Sequence, residues 1–302
     1  MNMPSIEGHA ARPAASQPTP SAGAKLRKVL QQKDCVLVPG AYDCISALAI
    51  EQAGFDIAYM TGAGTAASLG YPDIGLLTMT EMTANANRMA RAIQIPLICD
   101  ADTGYGNEIN VARTIQEYER AGAAGLHIED QVFPKRCGHL DGKEVIDRAE
   151  YIQKIRAAVH ARSNADFLLI ARTDAIATHG LDEALTRANL ALEAGADMVF
   201  VEAPQSLEAI RTIPKEVNGM ALLNLVSGGK TPPISYAQAT DYGFKIALMP
   251  GVLLRNAIHL FDNVLHQLQQ DGMLHNLTGQ DSVKRNFERF GLSRWLGFQQ
   301  PR

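Results

Sequence analysis

The segment FPKRCGHLDGKEV at residues 133–145 places Cys137 and His139 on either side of Gly138, with Gly142 beyond and Lys135, Arg136 and Lys143 around them. Neither a packed strand nor an amphipathic helix combines glycines, charges and a thiol in this order, so the segment reads as a loop. It follows HIEDQ, and another acidic group, DADTGYGN, starts at Asp100. Residues two apart on a strand point to the same side, so Asp100 and Asp102 are expected to converge, as are His127 and Glu129. Acids from neighbouring strands, with no cysteine thiolate or histidine pair among them, make an oxygen-rich site suited to Mg2+ or Mn2+ rather than Zn2+. Taken singly, each acid is more readily a helix N-cap. Together on adjacent strands they reverse that balance, while Asp43, Asp130 and Asp174 stay open between cap and supporting partner.

These side chains need a scaffold, and the sequence supplies one from residue 36 onward. Eight short apolar runs (36–40, 57–62, 97–102, 125–130, 167–174, 198–203, 221–225 and 246–250) alternate with segments of helical period such as 109–121, 149–162 and 181–194. Near-continuous apolar runs indicate strands buried on both faces, as in a parallel sheet. Three helical stretches end alike, in EQAGFDIAYM, ERAGAAGLHIE and LEAGADMVFVE, each stopped by a glycine just before a strand. Eight such units predict a closed (β/α)8 barrel with α/β architecture as a single domain over 25–302, including additional helices at 251–269 and 282–292. In a barrel the chemistry sits at the C-terminal ends of the strands. Polar residues gather there: Asp43, Asp73, Asp100, Asp102, His127, Glu129, Asp130, Arg172, Asp174, Glu202 and Asn224.

Composition narrows the class. With 28 Lys and Arg against 32 Asp and Glu, the net charge of −4 gives no basic surface for nucleic acid or an anionic membrane. No apolar run is long enough to cross a bilayer, and residues 1–24 lack the apolar core of a secretory signal. They read as a flexible Pro/Ala/Ser arm, whose lone Arg12 argues against an organellar transit peptide. Four cysteines without metal-ligand spacing suit a reduced, cytoplasmic protein. A dinucleotide site is the rival, because GAGTAA at 62–67 follows a strand and Glu81 lies about twenty residues on. Glu81 falls inside a helical stretch, however, and the glycines serve equally well as a backbone turn that approaches a carboxylate.

TGAGTAASLGYPD, DADTGYG, HIEDQVFPKRCGHLDGK, ARTDA, VEAP and LLNLVSGGKTP, in this order and spacing, resemble the isocitrate lyase/phosphoenolpyruvate mutase superfamily. KRCGH after HIEDQ points to its carbon–carbon lyase branch. The resemblance covers 36–270 and implies a (β/α)8 barrel that cleaves a 2-hydroxy dicarboxylate by retro-aldol chemistry with Mg2+. It also implies that Asp100 and Asp102 hold the metal directly or through water, with Asp73 and Glu129 in its hydration shell. Tyr59, Thr61, Gly62 and Ala63 would cradle the pyruvate-like portion, Tyr59 counting also among the catalytic groups. Arg172 would bind a substrate oxygen, and Gly138, Glu202 and Asn224 would complete the substrate set. Family members are commonly homotetramers that exchange a C-terminal helix, for which 251–292 is the candidate segment.

Breaking C2–C3 requires loss of the 2-hydroxyl proton and stabilisation of the leaving carbon. A divalent ion meets the first need. Lys135, Arg136 and His139 are expected to stabilise the second charge and to lower the Cys137 thiol pKa, with Cys137 returning the proton from a mobile lid. In the family, Ser or Thr shortly after the asparagine matching Asn224 helps bind a third carboxylate, and Val226 stands here instead. An apolar group there fits an alkyl substituent. The expected substrate is therefore 2,3-dimethylmalate or a 2-alkylmalate, giving pyruvate or another 2-oxo acid plus a carboxylic acid such as propionate. 2-Methylisocitrate lyase and oxaloacetate acetylhydrolase are the alternatives, and a carboxylate-binding protein without turnover is the non-enzymatic one.

Overall fold

The computed structural model describes residues 20–273 and 282–299. Its eight strands are parallel and close in chain order into one barrel. They are β1 (Val36–Ala41), β2 (Ala58–Met60), β3 (Leu97–Asp100), β4 (Gly125–Glu129), β5 (Leu168–Thr173), β6 (Met198–Val201), β7 (Met220–Asn224) and β8 (Ile246–Met249). Every apolar run of the sequence is thus a strand. Closure is made by β1 on β8, in register from Val36 with Ile246 to Pro39 with Met249.

Side chains alternate across this sheet. Val36, Val38, Ile98, Leu168, Ile170, Met198, Phe200, Leu222, Ile246 and Leu248 share the barrel interior, whereas Cys99, Leu126, Ile128, Leu169 and Ala171 pack outward under the helices. Both faces are apolar because both are covered. Each fully buried Leu, Ile or Phe contributes roughly 1.5–3 kcal/mol, and this interior layer supports the polar layer above it. Moving two residues along each inward row reaches the chemistry: Ile98 leads to Asp100, His127 to Glu129, Ile170 to Arg172, Phe200 to Glu202, and Leu222 to Asn224.

The opposite mouth is plugged by the helix Ala22–Gln32, whose N-cap Ser21 accepts from Ala24 N at 3.1 Å and whose Leu26 and Leu30 join the interior cluster. That helix takes in residues 22–24 of the segment read as an arm, and residues 1–19 lie outside the described residues. The helices Glu108–Arg120, Arg148–Ala161 and Leu181–Glu193 start within one residue of expectation. GAGTAA opens a short helix, Gly62–Ser68, capped by Thr61. Glu81 serves a capping box with Thr78, its carboxylate accepting from Thr78 N at 2.8 Å. Asp43 is the N-cap of Cys44–Gln52, in a reciprocal box with Ser46.

Past β8 the helix runs Val252–Asp271, and the segment expected as one helix at 282–292 divides into Val283–Glu288 and Leu292–Leu296. No residue of Val252–Asp271 is buried, and Ile258, Leu260, Phe261, Leu265 and Leu268 face outward. Among the described residues no helix is long and apolar enough to cross a membrane.

Candidate active site

Glu129 ends the inward row of β4, fully buried, with neither carboxylate oxygen in a hydrogen bond. Arg172 Nε lies 3.2 Å from its Oε2. Burial outweighs Arg172 and Lys135 and pushes this carboxyl well above its usual range. Asp100, at the tip of β3, accepts from Gly62 N at 3.2 Å and from Asp102 N at 3.0 Å. Burial works to raise it, but His127, Lys135 and Arg172 prevail and hold it low. Asp102 does not extend the strand; its φ of 46° turns the chain, so the two acids meet through a backbone bend rather than through the pleat. Burial, with Asp100 and Asp73 adding to it, pushes Asp102 up against the pull of Lys135.

Lys135 sits inside this acid group. Its ammonium bonds Asp73 and approaches Asp102 Oδ1 at 2.9 Å, and the pull of Asp102, Glu129, Asp73 and Asp100 overcomes burial to keep it charged. Among the described residues no three metal-ligating side chains close into a cage. The four acids named from the sequence nevertheless fit a hard cation that keeps part of its water shell, because Mg2+ takes only one or two carboxylates directly. The buried oxygens of Glu129, which accept no hydrogen bond, and Oδ1 of Asp102, which faces only the Lys135 ammonium, are donors of that kind.

The loop between β4 and the helix Arg148–Ala161 forms a flap with a closed neck. Gln131 bridges Val145, and Val132 N donates to Glu144 O at 2.9 Å. At its tip Cys137 N donates to Asp73 O at 3.1 Å. His139 Nδ1 accepts from Lys230 N at 3.0 Å, leaving Nε2 3.0 Å from Glu202 Oε1. Gly138 lies flat on the site: a Cβ there would stand 2.5 Å from Glu202 Cγ and 2.6 Å from Arg172 Nη2.

Two expectations about the flap are overturned. The Cys137 thiol pKa is raised, because burial outweighs the His139 amide and Arg172. Lys135 is committed to the acids, and Arg136 is exposed, donating to Asp141 O at 3.2 Å on the outer side. Arg136 is therefore the one member of the catalytic set that is not brought to the site. A raised thiol is a weaker acid, but it keeps its proton at neutral pH, which is the form a general acid requires.

The remaining residues converge. The Tyr59 hydroxyl is 2.7 Å from His127 Nε2, with the rings stacked. Burial keeps Tyr59 far above its ordinary pKa and lowers His127 to about 4. Both are neutral at pH 7, so the 3.5 Å approach of His127 to Asp100 is not an ion pair. Gly62 is needed for close approach, since a Cβ would meet Asp100 Oδ2 at 2.5 Å. Its N–H serves Asp100 rather than a free carboxylate. Thr61 Oγ1 caps Gly64 N at 3.4 Å, and Ala63 is half-buried beside it. Arg172 lies 5.0 Å over the Phe200 ring, and Asn224 Nδ2 donates to Glu202 at 3.2 Å. Val226 lines a neighbouring cleft of about 450 Å³ with Ser227, Met249, His259 and Arg255, whose guanidinium donates to the Ser227 carbonyl; none of the acids lines it.

Sequence reasoning left Asp130 and Asp174 open and gave Lys143 no role. Asp130 lies behind the barrel wall, accepting from Thr173, Asp174 N and Arg187. Asp174 binds Arg172 and Lys143. The signal for Lys143 was only its place in the flap, since a lysine in a polar loop ordinarily faces water.

The phosphoenolpyruvate phosphomutase family profile matches residues 26–269. A 2,3-dimethylmalate lyase of Eubacterium barkeri is 49% identical over 75% of this chain and 79% of its own. A 2-methylisocitrate lyase of Aeropyrum pernix is 42% identical over 85% and 82%. The crystal structure of a 2,3-dimethylmalate lyase superposes with a TM-score of 0.88 at 42% identity, covering 93% of this chain and 95% of that one. Oxaloacetate acetylhydrolase with 3,3-difluorooxalacetate gives 0.88 at 39%, covering 92% and 96%. Phosphonopyruvate hydrolase, solved with oxalate and Mg2+, gives 0.83 at 30%, covering 92% and 98%.

Proposed function

The chain belongs to the phosphoenolpyruvate mutase/isocitrate lyase superfamily, and on that premise we propose that it cleaves the C2–C3 bond of a 2-alkylmalate such as 2,3-dimethylmalate. The products are a 2-oxo acid, here pyruvate, and a carboxylic acid, here propionate. The observation that carries this is the seating of Gly138, next in the chain to Cys137, directly on Arg172 and Glu202.

Asp100 and Asp102 would hold Mg2+, directly or through water, with Asp73 and Glu129 around its hydration shell. Bound there, the ion would polarise the C2 oxygen and ease loss of the hydroxyl proton. Arg172, fixed by Asp174 and charged, binds the substrate carboxylate and opposes charge that builds on it. Tyr59, neutral and accepting from the Nε2–H tautomer of His127, is left free to donate toward the C2 oxygen. As C2–C3 breaks, its electrons move onto C3 and the adjacent carboxylate, and the Cys137 thiol delivers a proton to C3. Closure of the flap excludes water, which strengthens each of these contacts.

Val226 favours an alkyl group over a third carboxylate, which would stand unpartnered beside it. Ser227 in the same cleft supports 2-methylisocitrate as the second reading. The bare outer face of Val252–Asp271 supports a homotetramer with an exchanged helix, and four free thiols suit the cytoplasm. Product analysis across 2-hydroxy dicarboxylates that differ at C3, with Mg2+ or with chelator, tests the assignment. Cleavage of alkylmalates only when metal is present is expected. Binding without product would end it.

A further inference from the structure

Lys143 is the buried cation of the flap that the proposed chemistry does not use. Its side chain is 1% exposed, although it belongs to the returning limb of a polar loop. Its ammonium donates to the carbonyl of Gly138, next to the reactive cysteine, and to Asp174 Oδ1 at 2.8 Å. The same Asp174, itself fully buried, accepts from Arg172 Nε at 2.9 Å through Oδ2 and from Arg172 Nη2 at 3.3 Å through Oδ1. One carboxylate thereby joins a flap residue to the arginine of the barrel floor.

We propose that Lys143 is a positioning residue, a latch that couples closure of the Cys137 flap to the orientation of Arg172 through Asp174. Lys230 holds the flap from its outer side through Asp141 and His139 Nδ1, while the other buried side-chain fastenings of the flap draw on groups needed for the reaction, Lys135 taking up Asp73 and Asp102 and His139 taking up Glu202. Substrate and metal compete for those groups. Asp174 lies beyond that competition, so Lys143 can hold the flap while they are occupied. Burying a lone ammonium is costly unless it is paired and hydrogen-bonded, which makes the closed position of Lys143 dependent on Asp174. Once the flap lifts, Asp174 keeps only Arg172 among its side-chain partners, and Glu129, 3.2 Å from Arg172 Nε, competes for the guanidinium.

The role of Lys143 rests on the flap-delivered thiol, so its test reads the flap apart from turnover. Full-length Lys143→Met and Lys143→Arg proteins are treated with iodoacetamide, and labelling at Cys137 is followed by peptide mass spectrometry alongside kcat, KM and thermal unfolding. Loss of a charge-assisted hydrogen bond should speed labelling of Lys143→Met roughly tenfold or more, and kcat should fall by a larger factor than KM rises. Lys143→Arg should restore most of both effects. Labelling unchanged in Lys143→Met, with or without a fall in kcat, overturns the latch. So does loss of cooperative unfolding, which would make Lys143 a general packing residue. Faster labelling in a protein that cleaves no alkylmalate leaves the latch standing and removes the assigned reaction instead.

Discussion

Replacing Gly138 by Ala is the sharpest steric test of the closed flap. The added methyl would lie 2.5 Å from Glu202 Cγ and 2.6 Å from both Glu202 Oε1 and Arg172 Nη2. Carbon contacts settle at about 3.5–4.0 Å, so the overlap is about 1 Å. Neither neighbour can yield: Arg172 is held by Asp174 and Phe200, and Glu202 by Asn224 and His139. The flap must therefore lift by about that distance, and misplacement on the order of 1 Å costs about 100-fold in rate. Gly138→Ala should lower kcat about 100-fold, or about 2.7 kcal/mol in the barrier. Because a loop relieves the overlap, thermal unfolding should stay near wild type. Initial rates of 2-oxo acid formation from 2,3-dimethylmalate with Mg2+ give the comparison. A kcat within about threefold of wild type would refute closure of Gly138 on these two side chains during turnover.

Cys137→Ala should lower kcat by about 10²–10⁴, the usual range for a general acid, while substrate still binds. The acid must keep its proton and burial raises its pKa, so the wild-type kcat profile should fall only on the alkaline side of the ordinary thiol range, with that limb absent in Cys137→Ala; a fall near neutrality would be inconsistent. Asp102→Ala should raise the Mg2+ concentration for half-maximal rate by about tenfold or more, and an unchanged requirement would remove it from the ligand set. Val226→Thr should shift kcat/KM toward 2-methylisocitrate by about tenfold or more relative to 2,3-dimethylmalate; no shift would place specificity elsewhere.

Much of the barrel was legible because its strands are buried on both faces. An unbroken run such as FLLIARTD can be neither a half-exposed strand nor a surface helix, and it became β5. The same period of two carried the inward rows up to Glu129, Arg172, Glu202 and Asn224. Asp102 escaped that rule, since a φ of 46° is set by the local turn and leaves no period to read. The Cys137 shift was misjudged because charge is visible in a sequence while burial is not. Cations on either side of the thiol suggested a lowered pKa, yet Lys135 folds onto Asp73 and Arg136 turns to solvent. Lys143 was missed for the converse reason: its acceptors, Asp174 and the Gly138 carbonyl, are brought together by the tertiary fold just past the end of β5, which no local pattern records.

The central claim, that the flap thiol protonates C3 as C2–C3 breaks, is tested most directly by running the reaction in D2O with 2,3-dimethylmalate and Mg2+ and reading the carboxylic acid product by mass spectrometry. Pyruvate should form together with propionate carrying one deuterium at C2, the former C3 of the substrate, and Cys137→Ala should give almost none of either. Equal yields of labelled propionate from wild type and Cys137→Ala would contradict it.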